Sequence, residues 1–210
     1  MDEIYSSVQT HTTAQIKIEG SRFIADVFPV LTEDNAKEKL ETVRKKYFDA
    51  THHCYAYVIG VEKKNVRYSD DGEPSGTAGV KIHSAIEAKN LSDILLVITR
   101  YYGGTKLGVG GLGRAYFESS ANGIEHSTII SKALVQEMQI AFPFSETNPV
   151  MNIINFQKLK ISATNYSAER SIITVQILPS HISSMRELFV NATRGSSEIS
   201  IGDKKTVNWQ

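Results

Sequence analysis

The feature that most constrains this 210-residue chain is the aliphatic run Ile94-Leu95-Leu96-Val97-Ile98, followed after Thr99 by RYYGGTKLGVGGLGRAYF. Five aliphatic residues in succession leave no polar face, so a strand over 93–100 must be covered on both sides. The strand cannot continue beyond it, because six of the eleven residues from Gly103 to Gly113 are glycine. Helical spacing resumes from about Gly111 to Glu125. A strand, then glycines, then a helix start is the arrangement that gathers backbone N–H groups around an anion. Lys106 and Arg114 add positive charge, and no acid occurs between Ile94 and Phe117. Tight turns and a close helix–sheet contact would use the same glycines without any ligand. The segment is neither GxxxxGK[ST] nor a full G-x-G-x-x-G, since Gly113 comes only two residues after Gly111.

Around this centre the pattern predicts strands over 14–18 and 21–30, turning at Gly20. A helix follows, N-capped by Thr32, with Ala36, Leu40, Val43 and Tyr47 on its inner face. Strands are expected over 54–61 and 65–69, then a helix over 77–90 capped by Thr77. After Ser131 the order becomes strand, helix, strand, strand, helix, strand, which is that of a ferredoxin-like module. These elements place one domain at 1–131 and a second at 132–210.

Three groups of residues could carry chemistry. Asp70, Asp71 and Glu73 put three carboxylates within four residues. Pairing with Arg100, Lys106 and Arg114, or turn formation, is favoured over a Mg²⁺ site. His52 and His53 precede Cys54 on a strand, where neighbours face opposite sides, so the three are not read as ligands of one metal ion. Tyr101 and Tyr102 sit at a strand end, one as core and the other free to stack on a base. No catalytic triad can be assembled. No catalytic residue, metal or cofactor is assigned, and the pattern favours a binding protein over an enzyme.

Charge excludes a polybasic arm. The chain has 23 Lys and Arg against 23 Asp and Glu, and residues 1–130 carry 15 against 17. Any nucleic-acid surface must therefore be a local patch. The single cysteine, Cys54, fits a reducing compartment. A polar N-terminus without an apolar core argues against a secretory signal, and no run is long enough to span a bilayer. A cytoplasmic protein without membrane association is expected; the oligomeric state is left open.

The motifs Ser21-Arg22-Phe23-Ile24, Asp49-Ala50-Thr51-His52-His53-Cys54 and Tyr68 to Gly79 (YSDDGEPSGTAG) resemble the YigZ/IMPACT family. The likeness continues through Thr99 to Gly108 (TRYYGGTKLG), Gly110-Gly111-Leu112 and Arg114-Ala115-Tyr116, so it covers most of residues 20–125. It implies an α+β protein of two domains: a ribosomal protein S5 domain 2-like N-terminal domain and a ferredoxin-like C-terminal domain, similar to elongation factor G domain IV and domains III and V. It also implies regulation of translation through RNA, the ribosome or a translation-associated protein. The phosphate-binding candidates are Arg100, Tyr101, Tyr102, Gly103, Gly104, Lys106, Gly108, Gly110, Gly111 and Arg114, with His52, His53, Asp70, Asp71, Glu73 and Thr77 nearby. The alternative is an enzyme on nucleotides or phosphometabolites, with Gly103–Gly113 cradling phosphate.

Overall fold

The apolar run forms β6 (Ile94–Tyr101) of a computed structural model that describes residues 3–209. It is the middle strand of an antiparallel sheet whose order is β2 (Thr12–Ile18), β3 (Ser21–Pro29), β6, β4 (His52–Ile59), β5 (Asn65–Ser69). Both faces of β6 are covered. Leu95 and Val97 pack with Ala36, Leu40 and Val43 of α1 (Glu33–Lys46). Ile94, Leu96 and Ile98 pack with Ile82 and Ile86 of α2 (Gly79–Ala88) and with Leu112, Ala115 and Tyr116 of α3 (Gly108–Glu125). Burying each such side chain contributes about 1.5–3 kcal/mol, which fixes the register of the central strands. At Gly123 an added Cβ would stand 2.7 Å from the Ala25 Cβ, so α3 lies directly on β3 at that point.

Thr32 caps α1 as expected, its hydroxyl accepting from the Asn35 N–H at 3.1 Å. The expected Thr77 cap of α2 does not form. The helix starts at Gly79, and the buried Thr77 hydroxyl donates to the Pro74 carbonyl at 2.6 Å. Its orphan N–H groups are met from outside the helix, by the Asp70 carboxylate. The third helix begins at Gly108, three residues earlier than its periodicity indicated, because Gly110 and Gly111 are helical although glycine is a poor helix former.

One strand was hidden in the sequence. β1 (Ile4–Val8) has Tyr5 and Val8 buried, and the Tyr5 hydroxyl donates to the Asp93 carboxylate at 2.5 Å. Ser6 and Ser7 mask its apolar pattern.

The chain divides into two compact units, the first running through Lys132 and taking in Trp209, the second Ala133–Asn208. The second contains most of β7 (Ile129–Pro143), then α4 (Thr147–Phe156), β8 (Lys160–Tyr166), β9 (Arg170–Ile177), α5 (Ile182–Ala192) and β10 (Glu198–Asn208). This is the β-α-β-β-α-β order. β9 pairs antiparallel with both β7 and β8, and β10 pairs with β7. Its core is Met138, Ile140, Phe142, Val150, Ile154, Val175 and Phe189. Every candidate site residue lies in the first unit.

Candidate functional site

The strand register brings the candidate residues to one end of the first sheet. Arg100 stands opposite Phe23 on β3 and opposite His52 on β4. Beyond this end the acidic loop and the glycine segment fold over the sheet from α2 and α3.

Each acid of the loop is already matched. The Glu73 side chain is only 5% exposed, and its Oε1 accepts from Arg100 Nη1 at 2.6 Å and from the Tyr116 hydroxyl at 2.8 Å. Its Oε2 lies 3.8 Å from His52 Nε2. Asp71 Oδ2 accepts from the His53 backbone N–H at 2.7 Å, and Oδ1 from Arg44 Nη2 at 3.2 Å. Asp70 Oδ1 accepts from the N–H groups of Ala78 (2.9 Å) and Gly79 (2.8 Å), and Oδ2 from Gly76 (2.9 Å). Burial raises the Asp70 pKa, but these three hydrogen bonds outweigh it and hold the carboxyl below its ordinary value. The Mg²⁺ alternative for these carboxylates does not fit an arrangement in which protein donors occupy them.

Arg100 is committed in the same way. Its side chain is only 7% exposed, its Nη2 lies 3.4 Å from Ser21 Oγ, and its guanidinium carbon stands 5.4 Å from the Phe23 ring centre. Of the two roles expected for Arg100, phosphate contact and pairing with the acidic loop, the structure shows the second: Arg100 is the buried partner of Glu73. Removing either member would leave an uncompensated charge, at a cost of about 3–5 kcal/mol.

His52 and His53 do face opposite ways. His52 Nδ1 is 2.8 Å from the Asp71 carbonyl, while His53 Nε2 is 3.0 Å from the Tyr47 carbonyl. Burial lowers the His53 pKa. Cys54 Sγ lies 2.9 Å from the Asp70 carbonyl and 3.2 Å from the Tyr116 hydroxyl oxygen, its single S–H serving one of the two. Burial pushes this thiol well above its usual range, so it is not a thiolate nucleophile. Tyr116, Ser21 and Arg44 join this network although none was a candidate site residue; Tyr116 and Ser21 stood in the sequence only as members of longer motifs. A tyrosine within the apolar stripe of a helix was the available signal, because a buried hydroxyl requires a partner.

The tyrosines are also partly engaged. The Tyr101 hydroxyl donates to Asp49 at 2.7 Å, and the Arg22 guanidinium carbon stands 4.1 Å from its ring centre. Tyr102 is 46% exposed, with its hydroxyl donating to the Gly104 carbonyl at 2.7 Å.

The glycine segment separates into two kinds of position. Gly103 is demanded by packing: an added Cβ would fall 1.9 Å from the Gly20 carbonyl carbon. Gly110 and Gly111 meet no comparable obstacle, their nearest neighbours being Arg114 Nη1 at 3.7 Å and Leu107 Cβ at 3.4 Å. At its N-terminus α3 has no side-chain cap and no acid in its first turn. Its unpaired N–H groups and dipole therefore present positive potential. Lys106 and Arg114 are exposed and form no ion pair among the described residues. Lys106, Gly108 and Leu107 line a cavity of about 260 Å³ whose wall includes Glu73, Arg100 and Tyr102.

This end of the sheet lies within the part of the chain that known proteins share. The Impact N-terminal domain model matches residues 19–124. Over 97% of its length the chain is 34% identical to IMPACT family member YvyE of Bacillus subtilis (strain 168), of which it covers 95%. It is 29% identical to IMPACT family member YigZ of Escherichia coli (strain K12), over 87% of this chain and 90% of that protein. A crystal structure of a hypothetical protein matches with a TM-score of 0.66 at 27% identity, covering 95% of this chain and 97% of the other. The chain belongs to the IMPACT family.

Proposed function

We propose that this chain is a cytoplasmic, non-enzymatic factor of translation that binds ribosomal or ribosome-associated RNA through the N-terminal end of α3. The observation that carries the reading is an imbalance: the acids of the neighbouring loop are all engaged, whereas Lys106, Arg114 and the uncapped helix start are not. On a molecule of zero net charge, this leaves a local patch suited to phosphate. Gly108, Gly110 and Gly111 bring backbone N–H groups to it. Arg100 supports the wall of the patch from behind. No helix among the described residues is long and apolar enough to cross a membrane.

The test is sedimentation of the protein with ribosomal particles at low and high salt, with and without RNase. Salt-sensitive, RNase-sensitive co-migration is expected. A variant carrying Lys106→Gln and Arg114→Gln should bind RNA more weakly, with its salt slope reduced by roughly 0.7 for each phosphate it no longer neutralises. Binding and slope unchanged by that variant would sink the proposal. Co-migration that survives RNase would instead favour docking on a ribosome-bound protein.

A second reading, an enzyme on nucleotides or phosphometabolites, is favoured by one observation: the 260 Å³ cavity at the helix start adjoins a buried carboxylate. Calorimetry with ATP–Mg²⁺ at millimolar concentration decides it. Saturable binding that displaces RNA would put this reading first, and no heat would remove its ATP-dependent form.

A further inference from the structure

Resting on the RNA reading, we infer that the groove between α2 and α3 is a track for single-stranded RNA, in which Phe117 stacks on an unpaired base while Lys81 and Arg114 hold its flanking phosphates.

The groove encloses about 730 Å³, within the range of clefts that take small organic ligands. Thr77, Lys81 and Ser84 of the α2 side recur at helical spacing along one wall. Gly110, Gly113, Arg114 and Phe117 of α3 form the other. Val109 lines both this groove and the cavity at the start of α3, so the two concavities share a wall. Ligand held at the helix start can therefore continue into the groove.

Three observations identify the occupant. The first is charge. Lys81 and Arg114 take part in no ion pair among the described residues, and Glu118 is the one acid in the lining, which leaves it net cationic. The second is an exposed ring. Phe117 is 40% exposed and makes no ring contact among the described residues, unlike Tyr101, which already lies beneath Arg22. An aromatic face beside cations binds a splayed-out base, whereas a duplex keeps its bases stacked and hidden. The third is glycine placement. Gly113 is tightly packed, its Cβ direction meeting Lys81 Cε at 3.3 Å, so the Lys81 stem crosses α3 there. Gly110 meets only the mobile end of Arg114, its Nη1 at an ordinary 3.7 Å, although glycine within a helix lowers its stability relative to alanine. A backbone that no packing constraint keeps free of a side chain is accounted for by a ligand that approaches it closely beside the Arg114 guanidinium.

The experiment is fluorescence anisotropy with a labelled twelve-nucleotide single-stranded RNA and with the duplex of the same sequence, at two salt concentrations. The single strand is expected to bind about tenfold more tightly or better. Phe117→Ala should weaken single-strand binding by roughly tenfold and leave duplex binding unchanged, and Phe117→Tyr should restore it. Lys81→Gln should reduce the salt slope by roughly 0.7, the value for one phosphate. Gly110→Ala should raise the melting temperature and weaken single-strand binding together, which a purely structural glycine would not do. Equal binding of duplex and single strand, both abolished in Lys106→Gln with Arg114→Gln, would overturn this inference and leave the phosphate reading standing. Binding of neither RNA would overturn both. Single-strand binding indifferent to Phe117→Ala in a variant with native circular dichroism would also overturn the groove assignment.

Discussion

The acidic loop Asp70–Gly79 and the glycine segment Gly103–Gly113 look alike in sequence, each a flexible, charged interruption between regular elements. Folded, they are opposites. The acidic loop turns its charges inward: Asp70 caps α2, Asp71 holds β4 and Arg44, and Glu73 joins Arg100 and Tyr116 below the surface. The glycine segment is packed at Gly103 and, on α3, at Leu112 and Gly113, but leaves Lys106, Arg114 and a helix start unmatched. Charge written in a sequence becomes available to a partner only where the tertiary structure does not consume it.

The largest test of this contrast is Glu73→Ala. Leaving Arg100 buried without its carboxylate should destabilise the first unit by about 3–5 kcal/mol in urea unfolding. A loss below about 0.5 kcal/mol would mean that the acidic loop is as uncommitted as the glycine segment. Next in size is Asp70→Ala, which removes the acceptor for three N–H groups and should cost about 1–2 kcal/mol. Because the folded pKa of Asp70 lies below its unfolded value, its ionised form stabilises the fold above the unfolded pKa of about 3.9. That contribution is lost as pH falls through the lower folded value, so the difference between wild type and Asp70→Ala should shrink in acid and persist at pH 7.

Gly110→Ala should act in the other direction, raising stability by roughly 0.5–1 kcal/mol, since nothing in the packing requires glycine there. A destabilised variant would show that Gly110 is structural after all, like Gly103. The smallest effect is expected for Lys106→Gln with Arg114→Gln, within about 0.5 kcal/mol of wild type at pH 7. A larger loss would reveal a structural role and weaken the case that these cations serve a partner.

Much of this architecture could be read before folding. The aliphatic run demanded a strand with two covered faces, Thr32 marked the start of α1, and the β-α-β-β-α-β order of the second unit followed from alternating periods. β1 was not legible, because Ser6 and Ser7 are held through backbone and hydroxyl hydrogen bonds that leave no apolar trace. The cap of α2 was misplaced for a related reason: it comes from Asp70, nine residues before Gly79, across a loop whose path no local pattern describes.

The sequence by itself determined the strand–glycine–helix core, the absence of acids around it and the family to which the chain belongs, because these depend on local period, composition and uninterrupted motifs. Only the tertiary structure decided which charges remain free. Arg100 and Glu73 lie 27 residues apart and meet because strand register and two loops converge at one end of a sheet. Coulomb energy and desolvation depend on distance and burial in space, and neither is a property of position along a chain.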